Sequence, residues 1–247
     1  MRDFETYLRL RQESSMLYWW PRVRDLGVPM PETEVLEFGF RSLACLVYPE
    51  GEQDVEEAGR VLEVVREAAR GFGYPVFIRT DQASGKHEWE NSCFVASEED
   101  LPRCLGGVIE FNEMADLEPR AIVIRRYIPL ESAFTAFRGM PVARERRYFV
   151  LDGRVVCHHP YWPEDAVRFL PGRQPQGWRE KLAALNEETL DEIELLNDYA
   201  VRLAAALPGY WSLDFARGAG GVWYFIDAAR GELSWHPECP HRWGSDG

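Results

Sequence analysis

Lysine is rare in this chain. Of its 28 basic residues only Lys86 and Lys181 are lysine, and the rest are arginine. The two are not equivalent at a tight phosphate site, so a retained lysine is informative. Lys86 lies in Arg79-Thr80-Asp81-Gln82-Ala83-Ser84-Gly85-Lys86-His87-Glu88-Trp89. An apolar run delivers Arg79, and small residues then let backbone amides approach an anion. Arg79 and Lys86 together suit polyphosphate. The same segment also suits a hairpin with a solvated tip.

Three further constellations carry chemistry. In Glu145-Arg146-Arg147-Tyr148-Phe149-Val150, alternation puts Glu145 and Arg147 on one face of a strand and Arg146 and Tyr148 on the other. A charge in mid-sheet needs a partner or a ligand. Asp214 and Asp227 sit inside the apolar strands Trp211-Ser212-Leu213-Asp214-Phe215 and Trp223-Tyr224-Phe225-Ile226-Asp227. A hairpin would bring these carboxylates together, which is unfavourable without a cation. Magnesium often uses one or two carboxylates plus nucleotide phosphates. A carboxylate paired to arginine is the alternative, with Arg217 and Arg230 at hand. Finally, Arg125-Arg126-Tyr127-Ile128-Pro129-Leu130 runs from an apolar strand into a proline-ended linker whose backbone can address a base. His158 and His159 are adjacent in a strand and must face opposite ways.

The elements that position these residues follow from periodicity. Helices are expected over Asp3 to Leu17, over Gln53 to Ala69, after a cap at Ser97, and over Trp178 to Leu207 with a break near Asn186. Strands are expected at Pro75 to Thr80, Glu90 to Val95 and Ala121 to Tyr127. A hairpin is expected from Arg144 to Leu151 and Arg154 to His158 about Asp152-Gly153, and a second pair at Tyr210 to Arg217 and Val222 to Ala228. Asp81 to Gly85 and Gly172 to Gly177 read as loops. Tyr18-Trp19-Trp20 reads as core. The class is α+β with antiparallel sheets.

Composition narrows the function. A hydrophobic content of 46% is that of a globular protein. A net charge of -13 disfavours general nucleic-acid binding. The five cysteines have neither disulfide nor zinc spacing, and His236-Pro237-Glu238-Cys239-Pro240-His241 reads as an ordinary reduced tail. A charged start and the lack of a long apolar run point to a cytoplasmic protein without membrane association. No Gly-x-x-x-x-Gly-Lys phosphate loop, dinucleotide fingerprint or Gly-x-Ser-x-Gly motif is present.

The order of these pieces resembles the ATP-grasp superfamily, and within it the clade named for one arginine and two lysines. Gly27-Val28-Pro29-Met30-Pro31-Glu32-Thr33 is similar to the entry segment of many such domains. Phe77 to Thr80 with Ser84 to Trp89 resembles the clade's first strand and phosphate loop. Glu145 to Val150 resembles its E-x-R-x-F-V strand, and Asp214 and Asp227 stand where it places acids. The likeness spans roughly residues 25 to 235.

The resemblance implies two α+β lobes gripping ATP between them, with residues 1–74 as a preceding region and lobes at 75–130 and 131–247. It implies that Arg79, Ser84, Gly85 and Lys86 hold phosphates, that Arg125, Arg126, Tyr127 and Ile128 contact adenine, and that Glu145 and Arg147 line the nucleotide. Arg147 would reach the γ-phosphate or an acyl phosphate, with Lys86 as its catalytic companion. Asp214, Asp227 and Glu232 would bind magnesium. Arg79 replaces the first lysine of many relatives, and Ala229 replaces an asparagine. The implied activity is ligation of a small-molecule or peptide carboxylate to an amine. The clade also contains a eukaryotic cell-division-cycle factor that assembles a translation initiation complex, so a nucleotide-dependent assembly factor acting on a protein partner is an alternative. A phosphotransferase is another.

Overall fold

A computed structural model describes residues 2–136, 138–168 and 174–236. In chain order its elements are α1 (Arg2–Ser14), α2 (Met16–Val23), β1 (Thr33–Glu37), α3 (Phe40–Ala44), α4 (Glu52–Phe72), β2 (Val76–Thr80), β3 (Phe94–Val95), α5 (Leu101–Met114) and β4 (Ala121–Arg126). There follow β5 (Ser132–Ala136), β6 (Met140–Ala143), β7 (Glu145–Leu151), β8 (Arg154–Pro160), α6 (Glu164–Arg168), α7 (Trp178–Asn186), α8 (Leu190–Ala204), β9 (Tyr210–Arg217) and β10 (Trp223–Arg230). Two compact units form. One comprises residues 1–30, 129–136 and 141–247, and the other residues 31–128 and 137–140.

In the unit containing Lys86, an antiparallel sheet runs in the order β1-β4-β2-β3. Val76, Ile78, Ile122 and Ile124 pack with Val61, Val65 and Ala69 of α4 and with Leu101, Leu105 and Val108 of α5. The i, i+4, i+8 spacing on α4 makes that stripe continuous. Gly73 ends α4 at φ 75°, its N–H bonded to the Ala69 and Arg70 carbonyls.

The other unit is built on the antiparallel order β10-β9-β7-β8. Asp152 and Gly153, both at positive φ, close the expected β7–β8 hairpin. One face of the sheet packs on α8 through residues such as Tyr148 and Phe215, whose rings meet edge to face at 5.6 Å. The other face carries Arg147, Asp214 and Asp227.

Several expectations are corrected. The first helix is two: Ser15 is extended, its hydroxyl accepts the Leu17 N–H at 3.1 Å, and α2 starts afresh. The tryptophan knot rides on α2, where Met16, Trp19 and Val23 are fully buried. The strand expected over Glu90 to Val95 shrinks to Phe94–Val95, because Lys86–Asn91 is a 3-10 turn. Ser97 does not cap through its side chain: its hydroxyl donates to Asp100 Oδ2 at 2.8 Å, and α5 begins at Leu101. The break near Asn186 is present, with Thr189 capping α8. Gly172, Arg173, Cys239 and His241 lie outside the described residues. Among the described residues no helix is long and apolar enough to cross a membrane.

Candidate active site

The segment carrying Lys86 is a fixed turn. β2 ends at Thr80, whose hydroxyl accepts the N–H groups of Gln82 and Ala83 and donates to Asn112 Oδ1 at 2.7 Å. Asp81, fully buried, accepts the Arg120 and Ala121 N–H groups at 2.7 and 3.0 Å. These bonds tie the start of the turn to α5 and to the start of β4. Arg79 is buried, and it donates from Nε to Thr80 O and from Nη2 to Gln82 O. Gly85 adopts φ +61°, and a Cβ there would lie 3.1 Å from the Phe111 ring. Ser92 Oγ, 2.7 Å from the Gly85 carbonyl, fixes the step at which half-buried Lys86 opens the 3-10 turn. Ser84 is half-buried beside it.

The turn packs so closely on α5 that a Cβ on Gly107 would fall 2.0 Å from the Asn91 carbonyl oxygen. Gly107 is thus a positioning residue that periodicity did not single out. At the end of β4, Arg125 is buried, Arg126 is exposed and pairs with Glu32 at 2.7 Å, and Ile128 is half-buried. Tyr127 meets Phe94 edge-on at 5.0 Å, and burial raises its hydroxyl pKa.

In the other unit the register lines up four polar residues on one sheet face. His159 pairs with Arg147, Arg147 with Asp214, and Asp214 with Asp227, on β8, β7, β9 and β10. The two acids are brought together by a register shift between Phe225 and Asp227, which the hairpin reading does not include. The arginine partner of Asp214 is Arg147, not Arg217 or Arg230: Nε and Nη2 reach Oδ1 and Oδ2 at 2.7 Å each. Arg217 pairs with Glu131, and Arg230 pairs with Glu13 and Glu232. Burial alone would lower the Arg147 pKa, but the Asp214 carboxylate outweighs it and holds it above the ordinary value. The guanidinium also lies 4.7 Å from the Tyr161 ring.

Asp227 is half-buried and accepts the Ala228 N–H at 3.1 Å. Glu232 is exposed on the turn after β10, 3.0 Å from Arg230. Glu145 is buried, with Oε1 3.3 Å from Trp162 Nε1. Among the described residues no group of three metal-ligating side chains exists. Two neighbouring carboxylates nonetheless fit magnesium held partly by phosphate oxygens. A cation at Asp214 would share or displace Arg147.

Sequence reasoning did not pair Arg146. Its side chain is fully buried on the opposite face, 2.7 Å from Glu192, 3.2 Å from Glu188 and 2.8 Å from the Glu187 carbonyl. The C-terminal segment is a second addition. Ser234 Oγ is 2.6 Å from Ser212 Oγ, and His236 Nε2 is 2.9 Å from Cys157 Sγ.

No curated protein matches the chain. Cdc123 from Schizosaccharomyces pombe superposes with a TM-score of 0.57 at 12% identity, covering 90% of this chain and 85% of that one. Its C-terminally truncated form gives 0.56 at 13% identity over the same shares. At such identity the likeness is one of fold. The family model described as ATP-grasp domain, R2K clade family 3, matches residues 69–244. The chain belongs to that ATP-grasp family.

Proposed function

We propose that the chain binds ATP with magnesium and joins a carboxylate to an amine through an acyl phosphate. The observation that carries this reading is the Arg147–Asp214–Asp227 row in a chain of ATP-grasp descent. In this reading residues 75–130 bring the phosphate and adenine groups, and residues 131–247 bring the arginine and the acids.

Lys86, Arg79, Ser84 and Gly85 hold polyphosphate from the fixed turn after β2. Residues 125–128 present backbone and Tyr127 to the base. Arg147 stabilises the charge of the transferring phosphoryl group, its orientation set by Asp214 and its charge kept in a dry setting where it acts strongly. Glu145 supports that strand from the same face. Asp214, Asp227 and Glu232 are the candidate magnesium ligands, and magnesium there would neutralise phosphate oxygens.

Calorimetric titration with ATP and magnesium tests this reading. We expect binding in the wild type, weakened in Lys86→Ala and lost in Lys86→Ala with Arg147→Ala. Undiminished affinity in the double variant refutes the assignment. A nucleotide-dependent assembly factor without ligation is the second reading, favoured by Ala229 where many relatives of the clade carry asparagine. Amide formation from a carboxylate, an amine and ATP would exclude it.

A further inference from the structure

His159 faces Arg147 across the β7–β8 register and is only 5% exposed. Its Nδ1 lies 2.7 Å from the Pro160 carbonyl oxygen. A carbonyl only accepts, so Nδ1 carries the proton and Nε2 the lone pair. That Nε2 is buried without a hydrogen-bond partner. An orphaned buried acceptor calls for a ligand or another explanation.

The ring is walled by Phe149 at 5.9 Å, His236 at 6.2 Å and the edge-on Trp235 at 5.8 Å. Trp235 is 54% exposed, so it is the wall that faces solvent. The charged or titratable groups acting on the ring are Arg147 from β7, His236 from the C-terminal segment and Asp214 from β9. Burial first, then Arg147 and His236, lower its pKa and keep the ring neutral; the hydrogen bond to the Pro160 carbonyl and, more weakly, Asp214 oppose them.

We propose that His159 Nε2 accepts an N–H of the amine substrate and takes its proton as that amine attacks the acyl phosphate, an inference that rests on the ligase reading above. The amine nitrogen forms the C–N bond. The bond from the acyl carbon to the phosphate oxygen breaks, and its electron pair leaves with phosphate. The proton lost from nitrogen passes to Nε2, and the imidazolium releases it to water.

Side-chain nitrogen NMR of the full chain, with His159→Gln to assign the ring, tests this. We expect the Nδ1–H tautomer. We also expect hydroxylamine, a small nucleophile uncharged near neutral pH, to shift the His159 Nε2 resonance saturably while His158 stays unmoved. An Nε2–H tautomer, or an Nε2 resonance indifferent to hydroxylamine, overturns the proposal. ATP titration of the same sample separates the two failures. Bound ATP with a silent His159 removes the base alone, whereas no ATP binding removes the ligase reading and the proton transfer with it.

Discussion

Replacing Arg147 with methionine should expose how the site is held. Both partners of the Arg147–Asp214 pair are nearly dry, with side chains 13% and 10% exposed. Arg147→Met keeps much of the apolar volume but leaves the Asp214 carboxylate beside Asp227 without its bidentate donor. Removing one member of a buried pair costs about 3–5 kcal/mol. For a chain of this length that is a fall in Tm of roughly 6–20 °C. Arg202→Met, which breaks a pair 39% and 61% exposed, is the control and should cost less than about 1 kcal/mol. Adding Asp214→Asn to Arg147→Met should restore much of the loss, since no unpaired charge then remains at that position. If the two carboxylates bind a cation, magnesium at about ten times a millimolar dissociation constant should return about 1.4 kcal/mol to Arg147→Met. Scanning calorimetry with and without chelator reads all of this. A loss below about 1 kcal/mol in Arg147→Met would refute the buried-pair argument.

Other consequences are as direct. Gly107→Ala should destabilise the fold by about 1–3 kcal/mol and weaken ATP binding, because its Cβ would strike the Asn91 carbonyl and push the Lys86 turn off α5. Gly106→Ala, with nothing within 4 Å, should instead stabilise by about 0.5–1 kcal/mol; melting curves of the two variants check both. Arg146→Met should cost at least as much as Arg147→Met but show no response to magnesium at the Asp214–Asp227 face in calorimetry, since Glu188 and Glu192 lie on the opposite face of the sheet. The pKa of His159 is lowered from 6.5, so its neutral form is favoured by folding. Its contribution is complete above that unfolded value and is lost as pH falls through the lower folded one; urea midpoints in acid should fall less in His159→Phe. Cys93 is fully buried with its thiol pushed up to about 12, so iodoacetamide should modify it only after unfolding, as mass spectrometry would show.

What was legible in the sequence was local. Asp152-Gly153 and the Gly218–Gly221 link fix two hairpins, but Asp227 stands opposite Asp214 only because the register shifts between Phe225 and Asp227; the unshifted hairpin would put Ile226 there. The partner of Asp214 was hidden because β7 pairs with β9 across 67 residues, and no short-range rule sets that register. Asp81 to Gly85 is a loop, as its small and polar residues suggest, but the 3-10 turn over Lys86–Asn91 that follows it is not legible in the sequence. What holds it is Ser92 bonding back to Gly85 and a close contact with Gly107 of a later helix. The Ser15 cap was legible in principle, since serine before an apolar run is a helix start, but the continuing periodicity of α1 masked it.

The two adjacent arginines of β7 show why a single strand can serve fold and site together. Parity sends Arg146 to the α8 face, where two glutamates and three backbone carbonyls saturate it, and sends Arg147 to the face with the acids. A guanidinium so fully bound cannot shift without leaving buried carboxylates behind, so Arg146 fixes the strand's rotation about its own axis. Arg147 inherits that precision from its neighbour, yet its carboxylate partner is Asp214, supplemented by the Trp235 carbonyl at 3.4 Å and the Tyr161 ring. It is therefore the charge that a phosphate can recruit at the smaller cost. The asymmetry arises from burial and partner number, and it would vanish if Glu188 and Glu192 were absent: Arg146 would then need a ligand of its own, and the strand would lose the anchor that makes Arg147 a positioned charge rather than a mobile one.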